Sequence, residues 1–213
     1  MNNPILSVKN ICVDYTSNNS FLFPWEKTKI FRAVEDINFE ISEGETLGIV
    51  GETGSGKSTI AKAIINILKV SSGKIFFQNN QISNLDEKNM RKYRKEIQMI
   101  FQDPLASLNP RMNVGEIISE PLKTHYPNLH NNEIKKQVKE IMDNVGLLSN
   151  QINRYPHEFS GGQCQRIGIA RSLILKPKII ICDEPVSSLD VSIQAQVINL
   201  LKELQQKFKL TYI

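Results

Sequence analysis

Apolar residues recur along this chain in two rhythms, and the change from one to the other marks its elements. Ile5, Leu6, Val8, Ile11, Val13 and Tyr15 read as a first strand. From Val34 to Ile41 the alternation is clean, with Ile37, Phe39 and Ile41 on one face and Asn38 and Glu40 on the other, the pattern of a half-buried antiparallel strand. The turn Ser42-Glu43-Gly44-Glu45 leads into the apolar run Thr46 to Val50, expected as a buried central strand, and helix-forming or buryable residues (Ala61, Lys62, Ala63, Ile64, Leu68) follow from Lys57. Further expected elements are a turn at Ser71-Ser72-Gly73, a strand from Lys74 to Gln78, a charged helix from Asp86 to Lys95 and a buried strand from Ile97 to Phe101. The next amphipathic helix is Asn132 to Val145, with Ile134, Val138, Ile141, Met142 and Val145 at helical spacing and Gly146 as its stop. Ser160 and Gln163 have capping-box spacing for another helix, closed by Lys176-Pro177-Lys178. Ile179 to Cys182 is apolar throughout, as in a parallel sheet. Ser192 to Phe208 is a last amphipathic helix, and Leu210 to Ile213 begins a further buried strand.

Two stretches break these rhythms. Ser17 to Lys29 is polar and aromatic (Phe21, Phe23, Pro24, Trp25) and is expected as a long hairpin loop. Pro104 to Phe159 holds Pro104, Pro110, Pro121, Pro127 and Pro156 around the amphipathic helix, and is expected as a helical subdomain inserted into an α/β core.

Composition narrows the class. A chain of 213 residues, 40% hydrophobic and 23% charged, is globular and supports one domain with an insertion. Its net charge of +4 is mild, and its basic residues read as scattered rather than striped, so nucleic acid is not an expected partner. Cys12, Cys164 and Cys182 lack metal or disulfide spacing and are expected as reduced thiols, Cys182 buried in its strand and Cys164 accessible. No run approaches 18 apolar residues and the first residues lack a signal-peptide pattern, so any membrane role is expected to come through a partner.

The chemistry centres on T-L-G-I-V-G-E-T-G-S-G-K-S-T, Thr46 to Thr59. An apolar run, a loop with Gly51, Gly54 and Gly56, and a helix start make an anion cradle, because helix N-terminal amides and the helix dipole favour negative charge. Gly51-Glu52-Thr53-Gly54-Ser55-Gly56-Lys57-Ser58 is the phosphate-binding Walker A pattern, in which Lys57 faces β- and γ-phosphates and Ser58 offers a hydroxyl to Mg²⁺. In an open α/β sheet ligands gather at the carboxyl ends of strands. Asp183, ending an apolar strand, therefore has the position of a Mg²⁺ ligand, and Glu184 that of a group that activates water. Gln102 also ends an apolar strand and is a candidate Mg²⁺ ligand or water sensor. Ser160-Gly161-Gly162-Gln163 is a second helix start that reads equally as an anion site or an ordinary cap.

Taken together, these motifs resemble the ATP-binding subunits of ABC transporters: Walker A, the Q-loop Gln102, the signature Phe159 to Gln163, Walker B Ile179 to Asp183 with Glu184, and the D-loop Ser188-Leu189-Asp190, in that order. Phe101 to Met112, Tyr155 to Gln163 and the insert around Trp25 resemble the oligopeptide and dipeptide importers, and the insert is more like that of their second ATPase subunit. The resemblance implies a P-loop NTPase fold, with residues 1–103 and 160–213 forming a RecA-like parallel core with an antiparallel β subdomain, and residues 104–159 an inserted α-helical subdomain. It implies ATP and Mg²⁺ as cofactors, an adenine stacked on Tyr15 with Phe31 as the alternative, and a head-to-tail partner ATPase. ATP at Lys57, Ser58 and Thr59 of one chain would then be capped by Ser160, Gly161, Gly162 and Gln163 of the other, with Asp190 of the D-loop nearby. Two membrane permease subunits, met by Pro104 to Met112, and indirectly an extracytoplasmic peptide-binding protein complete the implied assembly at the cytoplasmic face of the membrane.

Members of that family continue into a strand and a switch His. Here His125, His130 and His157 all precede Walker B, so none is that residue, and the resemblance covers roughly the family's first two-thirds. The alternative expectation is a non-catalytic nucleotide-binding subunit that completes a partner's ATP site.

Overall fold

The computed structural model describes residues 3–17 and 29–213; the aromatic insert with Phe21, Phe23, Pro24 and Trp25 lies outside them. The chain forms two compact units, Met1–Tyr93 and Arg94–Ile213.

In the first unit, β1 (Leu6–Ser17) pairs antiparallel with β2 (Lys29–Ile41) on one side and β3 (Ser72–Phe77) on the other, and β3 with the short β4 (Asn80–Gln81). The strand order is β2-β1-β3-β4. Leu6 and Val8, then Ile11 and Val13, are buried, so the inward parity changes once along β1. The change falls at Asn10, which takes φ 50 where the register with β2 shifts between Val8 and Ile11. A bulge inserts one residue and re-aims the strand beyond it. Its backbone amide donates to Asn38 Oδ1 at 2.7 Å and its Nδ2 to Asp36 Oδ1 at 2.6 Å. Helix α1 (Lys57–Ile64) buries Ile60, Ala61, Ala63 and Ile64.

One expected element is absent. Thr46 forms an isolated bridge, residues 47–50 are not strand, and Val50 is 96% exposed. An apolar run does not carry its own ladder: a strand exists only where a neighbour supplies donors and acceptors. Among the described residues the paired strands leave this run out.

Helix α2 (Glu87–Arg94) buries Met90 and exposes Lys88, Arg91 and Lys92. The expectation of scattered basic residues fails here, because spacing of three and four gathers these residues on one helical face.

In the second unit β5 (Ile97–Ile100), β6 (Ile179–Cys182) and β7 (Thr211–Tyr212) form a parallel sheet in that order, as the all-apolar runs predict. Parallel neighbours need long crossovers. Between β5 and β6 run α3 (Val114–His125), α4 (Asn131–Asn144), two 3₁₀ turns (Ser149–Gln151 and Pro156–Glu158) and α5 (Gly161–Leu173); α6 (Val191–Phe208) joins β6 to β7. Ile118, Val138, Met142, Ile167, Ile169, Ile180, Val197 and Leu204 share one core. Helix α4 matches its periodicity and stops at Gly146, φ 71. Helix α3 was not anticipated: its capping box, in which Asn113 Oδ1 accepts from the Glu116 amide and Glu116 Oε2 from the Asn113 amide, both at 2.9 Å, starts a helix that runs through Pro121. No helix among the described residues is long and apolar enough to cross a membrane.

The cysteine expectation fails at Cys164. Cys164 lies on the inward side of α5 with no exposed surface, its Sγ donating to the Pro156 carbonyl at 3.5 Å, whereas Cys182 is partly exposed at the strand end. One turn into α5, Cys164 shares a face with Ile167 and Gly168 and so points to the core, not to the surface where its cap sits. Burial raises both thiols, that of Cys182 to about 12.

Candidate functional site: a phosphate loop and a parallel strand end

The site residues of the first unit lie where loop 51–56 enters α1. Gly56 is the N-cap, with φ 95 and ψ 5, and a Cβ there would lie 2.7 Å from the Ala33 carbonyl oxygen. Only glycine tolerates both the dihedral and the approach. The loop closes on itself through the Ser55 amide, which donates to the Glu52 carbonyl at 3.1 Å. Lys57 folds back over it, its Nζ donating to the carbonyls of Gly51 at 2.9 Å and Glu52 at 3.0 Å. An ammonium is thereby held at the loop, beside the first turn of a helix. Ser58 and Thr59 follow in that first turn, half-buried, while Gly51, Glu52, Thr53, Gly54 and Ser55 are exposed. These groups fit a phosphate: a pinned cation, hydroxyls and a helix N-terminus, in a loop whose cap admits no Cβ.

Tyr15 and Phe31, the two aromatic candidates, are direct partners across β1 and β2. Directly opposed residues share a sheet face, so the two rings occupy one place rather than competing positions. The Tyr15 hydroxyl and Thr59 Oγ1 share a hydrogen bond of 3.4 Å, which brings the ring to the phosphate-loop helix.

In the second unit the register Ile100↔Cys182 of β5 and β6 sets what lies beyond the strands. Parallel neighbours advance together, so Gln102 and Glu184, each two residues further on, stay opposite. Gln102 Nε2 donates to Glu184 Oε2 at 2.9 Å, and the Asp183 amide donates to the Ile100 carbonyl at 3.0 Å. Asp183 is 8% exposed. Glu184 takes φ 48, a left-handed conformation unusual for a residue of its kind. Ser187 secures the turn, both its amide (3.2 Å) and its hydroxyl (3.1 Å) donating to the Glu184 carbonyl. Sequence reasoning missed Ser187; its signal was a hydroxyl residue three positions after a strand-end acid.

Helix α5 begins as the spacing predicts. The Ser160 amide donates to Gln163 Oε1 at 3.0 Å and the Gln163 amide to Ser160 Oγ at 3.4 Å. Gly161 and Gly162 form its first positions, and a Cβ on Gly162 would lie 2.6 Å from Ile193 Cγ2, so the glycine lets α6 pack close. Asp190 is the N-cap residue of α6, its carbonyl accepting from the Ile193 and Gln194 amides at 2.9 Å each. In the last turn of α5, Arg171 Nη1 donates to the Ser107 carbonyl at 2.6 Å, tying the segment after Gln102 to the helix that starts at Ser160.

No group of three or more His, Cys, Asp or Glu residues among those described gathers as a metal site. Mg²⁺ arriving with phosphates needs only one or two protein carboxylates, so the lack of such a cluster does not conflict with a phosphate-bound cation.

A glycine loop capped by lysine, and acids at the C-terminal end of a parallel strand, define an α/β protein of the P-loop class. The chain belongs to the ABC transporter family, whose pattern matches residues 34–187. It is 56% identical over 209 residues to the oligopeptide transport ATP-binding protein OppF of Haemophilus influenzae and 53% identical over 209 residues to OppF of Escherichia coli, in each case over 98% of this chain and 63% of the relative. The chain thus spans 63% of the length of these relatives. A dimeric ATP-binding cassette in a post-hydrolysis state, bound to ADP and Pi, superimposes with TM-score 0.83 and 30% identity, over 97% of this chain and 85% of that one.

Proposed function

We propose that the chain binds ATP and hydrolyses it as an ATPase subunit of an ABC importer for oligopeptides or dipeptides. The observation that carries the reading is Lys57, its ammonium held over loop 51–56 by two carbonyls at the entrance to α1. An oriented cation there can neutralise β- and γ-phosphate charge at small reorganisation cost. Tyr15, beside Thr59, offers its ring to adenine, with Phe31 as the neighbouring surface. Glu184 orients and deprotonates the attacking water, and Gln102, bonded to its carboxylate, fixes the direction of that oxygen. Mg²⁺ bound with the nucleotide would be held by Ser58, Gln102 and Asp183 and would supply charge neutralisation across the phosphate oxygens.

The peptide cargo rests on relatives named as oligopeptide transport proteins, and head-to-tail pairing with a second ATPase on the dimeric cassette. In that pair Ser160 to Gln163 of this chain cap the partner's nucleotide, with Asp190 alongside. Residues 104–159 act as the helical subdomain and, through Pro104 to Met112, meet two permease subunits at the cytoplasmic face of the membrane. A peptide-binding protein delivers cargo from the other side.

Titration of Lys57→Ala with Mg-ATP tests the reading. Loss of a charge-assisted contact worth about 1.5–3 kcal/mol should weaken binding roughly 10- to 100-fold in a folded protein; unchanged affinity overturns it.

A further inference from the structure

Helix α2 concentrates the positive charge of the chain. Residues 87–95 contain five basic side chains (Lys88, Arg91, Lys92, Arg94, Lys95) against Glu87 alone; from totals of 26 and 22, basic and acidic residues elsewhere balance at 21 each. The acids that bracket it, Asp86 and Glu96, bring residues 86–96 to five basic against three acidic side chains. Asp86 accepts from the Asn89 amide at 2.7 Å and from Asn89 Nδ2 at 3.1 Å, and Glu96 pairs with Lys178 Nζ at 2.9 Å. Lys88, Arg91 and Lys92 stand at i, i+3 and i+4, all exposed, opposite the buried Met90. The Lys92 ammonium lies 4.9 Å from the Tyr93 ring centroid. None of the large exposed apolar side chains among the described residues belongs to α2. The face therefore offers charge without an anchor for insertion and without the apolar centre that protein interfaces use.

We propose that this face of α2 is a peripheral contact for an anionic membrane surface, with Lys88, Arg91 and Lys92 facing lipid phosphates. The proposal rests on the reading of the chain as a transporter subunit, which brings it to a membrane. A planar layer of phosphates suits several flexible cations on one helical face, and each basic residue near such a surface contributes about fivefold in partitioning. The contact is weak, reversible and screened by salt.

Co-sedimentation of the chain with phosphatidylcholine vesicles, with and without phosphatidylglycerol, tests it. Binding should require phosphatidylglycerol and fade with salt. The combined substitution Lys88→Gln, Arg91→Gln and Lys92→Gln, which keeps good helix formers on an exposed face, should weaken binding on the order of 100-fold. Helix α4 supplies the control: Lys135→Gln, Lys136→Gln and Lys139→Gln remove the same charge from a helix that also carries Glu133 and Glu140, and should cost far less. Absence of binding to phosphatidylglycerol vesicles, equal loss in both triple variants, or retained binding in the α2 variant overturns the proposal and leaves an acidic protein as the partner of this face. Mg-ATP affinity measured on the same samples separates the two readings: lost nucleotide binding with intact vesicle binding refutes the ATPase assignment alone.

Discussion

Gly56 shows how much one atom decides in this molecule. Its φ of 95 and the 2.7 Å approach to the Ala33 carbonyl leave no room for a methyl group. Gly56→Ala should destabilise the chain by about 1–3 kcal/mol and weaken nucleotide binding, measured by urea unfolding and ATP titration. The thiols give a second expectation. Cys164 has no exposed surface and the Cys182 thiol is raised to about 12, so one lacks access and the other lacks thiolate. Both should react with iodoacetamide at least about tenfold more slowly in native than in urea-unfolded protein, followed by mass spectrometry; rapid native labelling of Cys164 would contradict its inward face. The motif residues were legible because glycine spacing and strand-end acids are written into the chain. The left-handed Glu184 was not, since nothing in its residue type asks for that conformation.

At the scale of elements, helix α3 is instructive. Asn113-x-x-Glu116 is a capping-box signal in the sequence, yet Pro121 eight positions on reads as a helix breaker. The structure keeps the helix through it, with Ile117, Ile118 and Leu122 buried, so packing outweighs the lost hydrogen bond. Asn113→Ala removes the Oδ1 acceptor and should cost about 1 kcal/mol in urea unfolding. The strands divide along similar lines. Ile179 to Cys182 became β6 because β5 and β7 flank it; Thr46 to Val50, equally apolar, did not become a strand. Local pattern reports what a segment can bury, whereas its partners decide whether it is buried.

For the molecule as a whole, that contrast is measurable. Val50→Lys should change unfolding free energy by less than about 0.5 kcal/mol, as at an exposed position, while Ile180→Ala in the sheet core should cost about 2–5 kcal/mol. A large loss from Val50→Lys would mean that the run is buried in solution. The same exposure makes residues 46–50 a point of self-association, so Val50→Lys should also reduce light scattering at high concentration. The charge asymmetry of α2 belongs to this scale too. A net charge of +4 reads as mild in composition, and helix α2 turns part of it into a face.

The matched register of β5 and β6 also limits which genetic changes the chain can survive. Gln102 meets Glu184 because both lie the same number of residues past a paired position, Ile100 opposite Cys182. Substitutions among Ile97, Met99, Ile179 and Ile181 can exchange one apolar side chain for another and leave that count intact. Deleting a single codon between Ile97 and Gln102 would shift every later residue of the strand to the opposite face, carrying the amide away from the carboxylate. Length is therefore under tighter constraint here than identity.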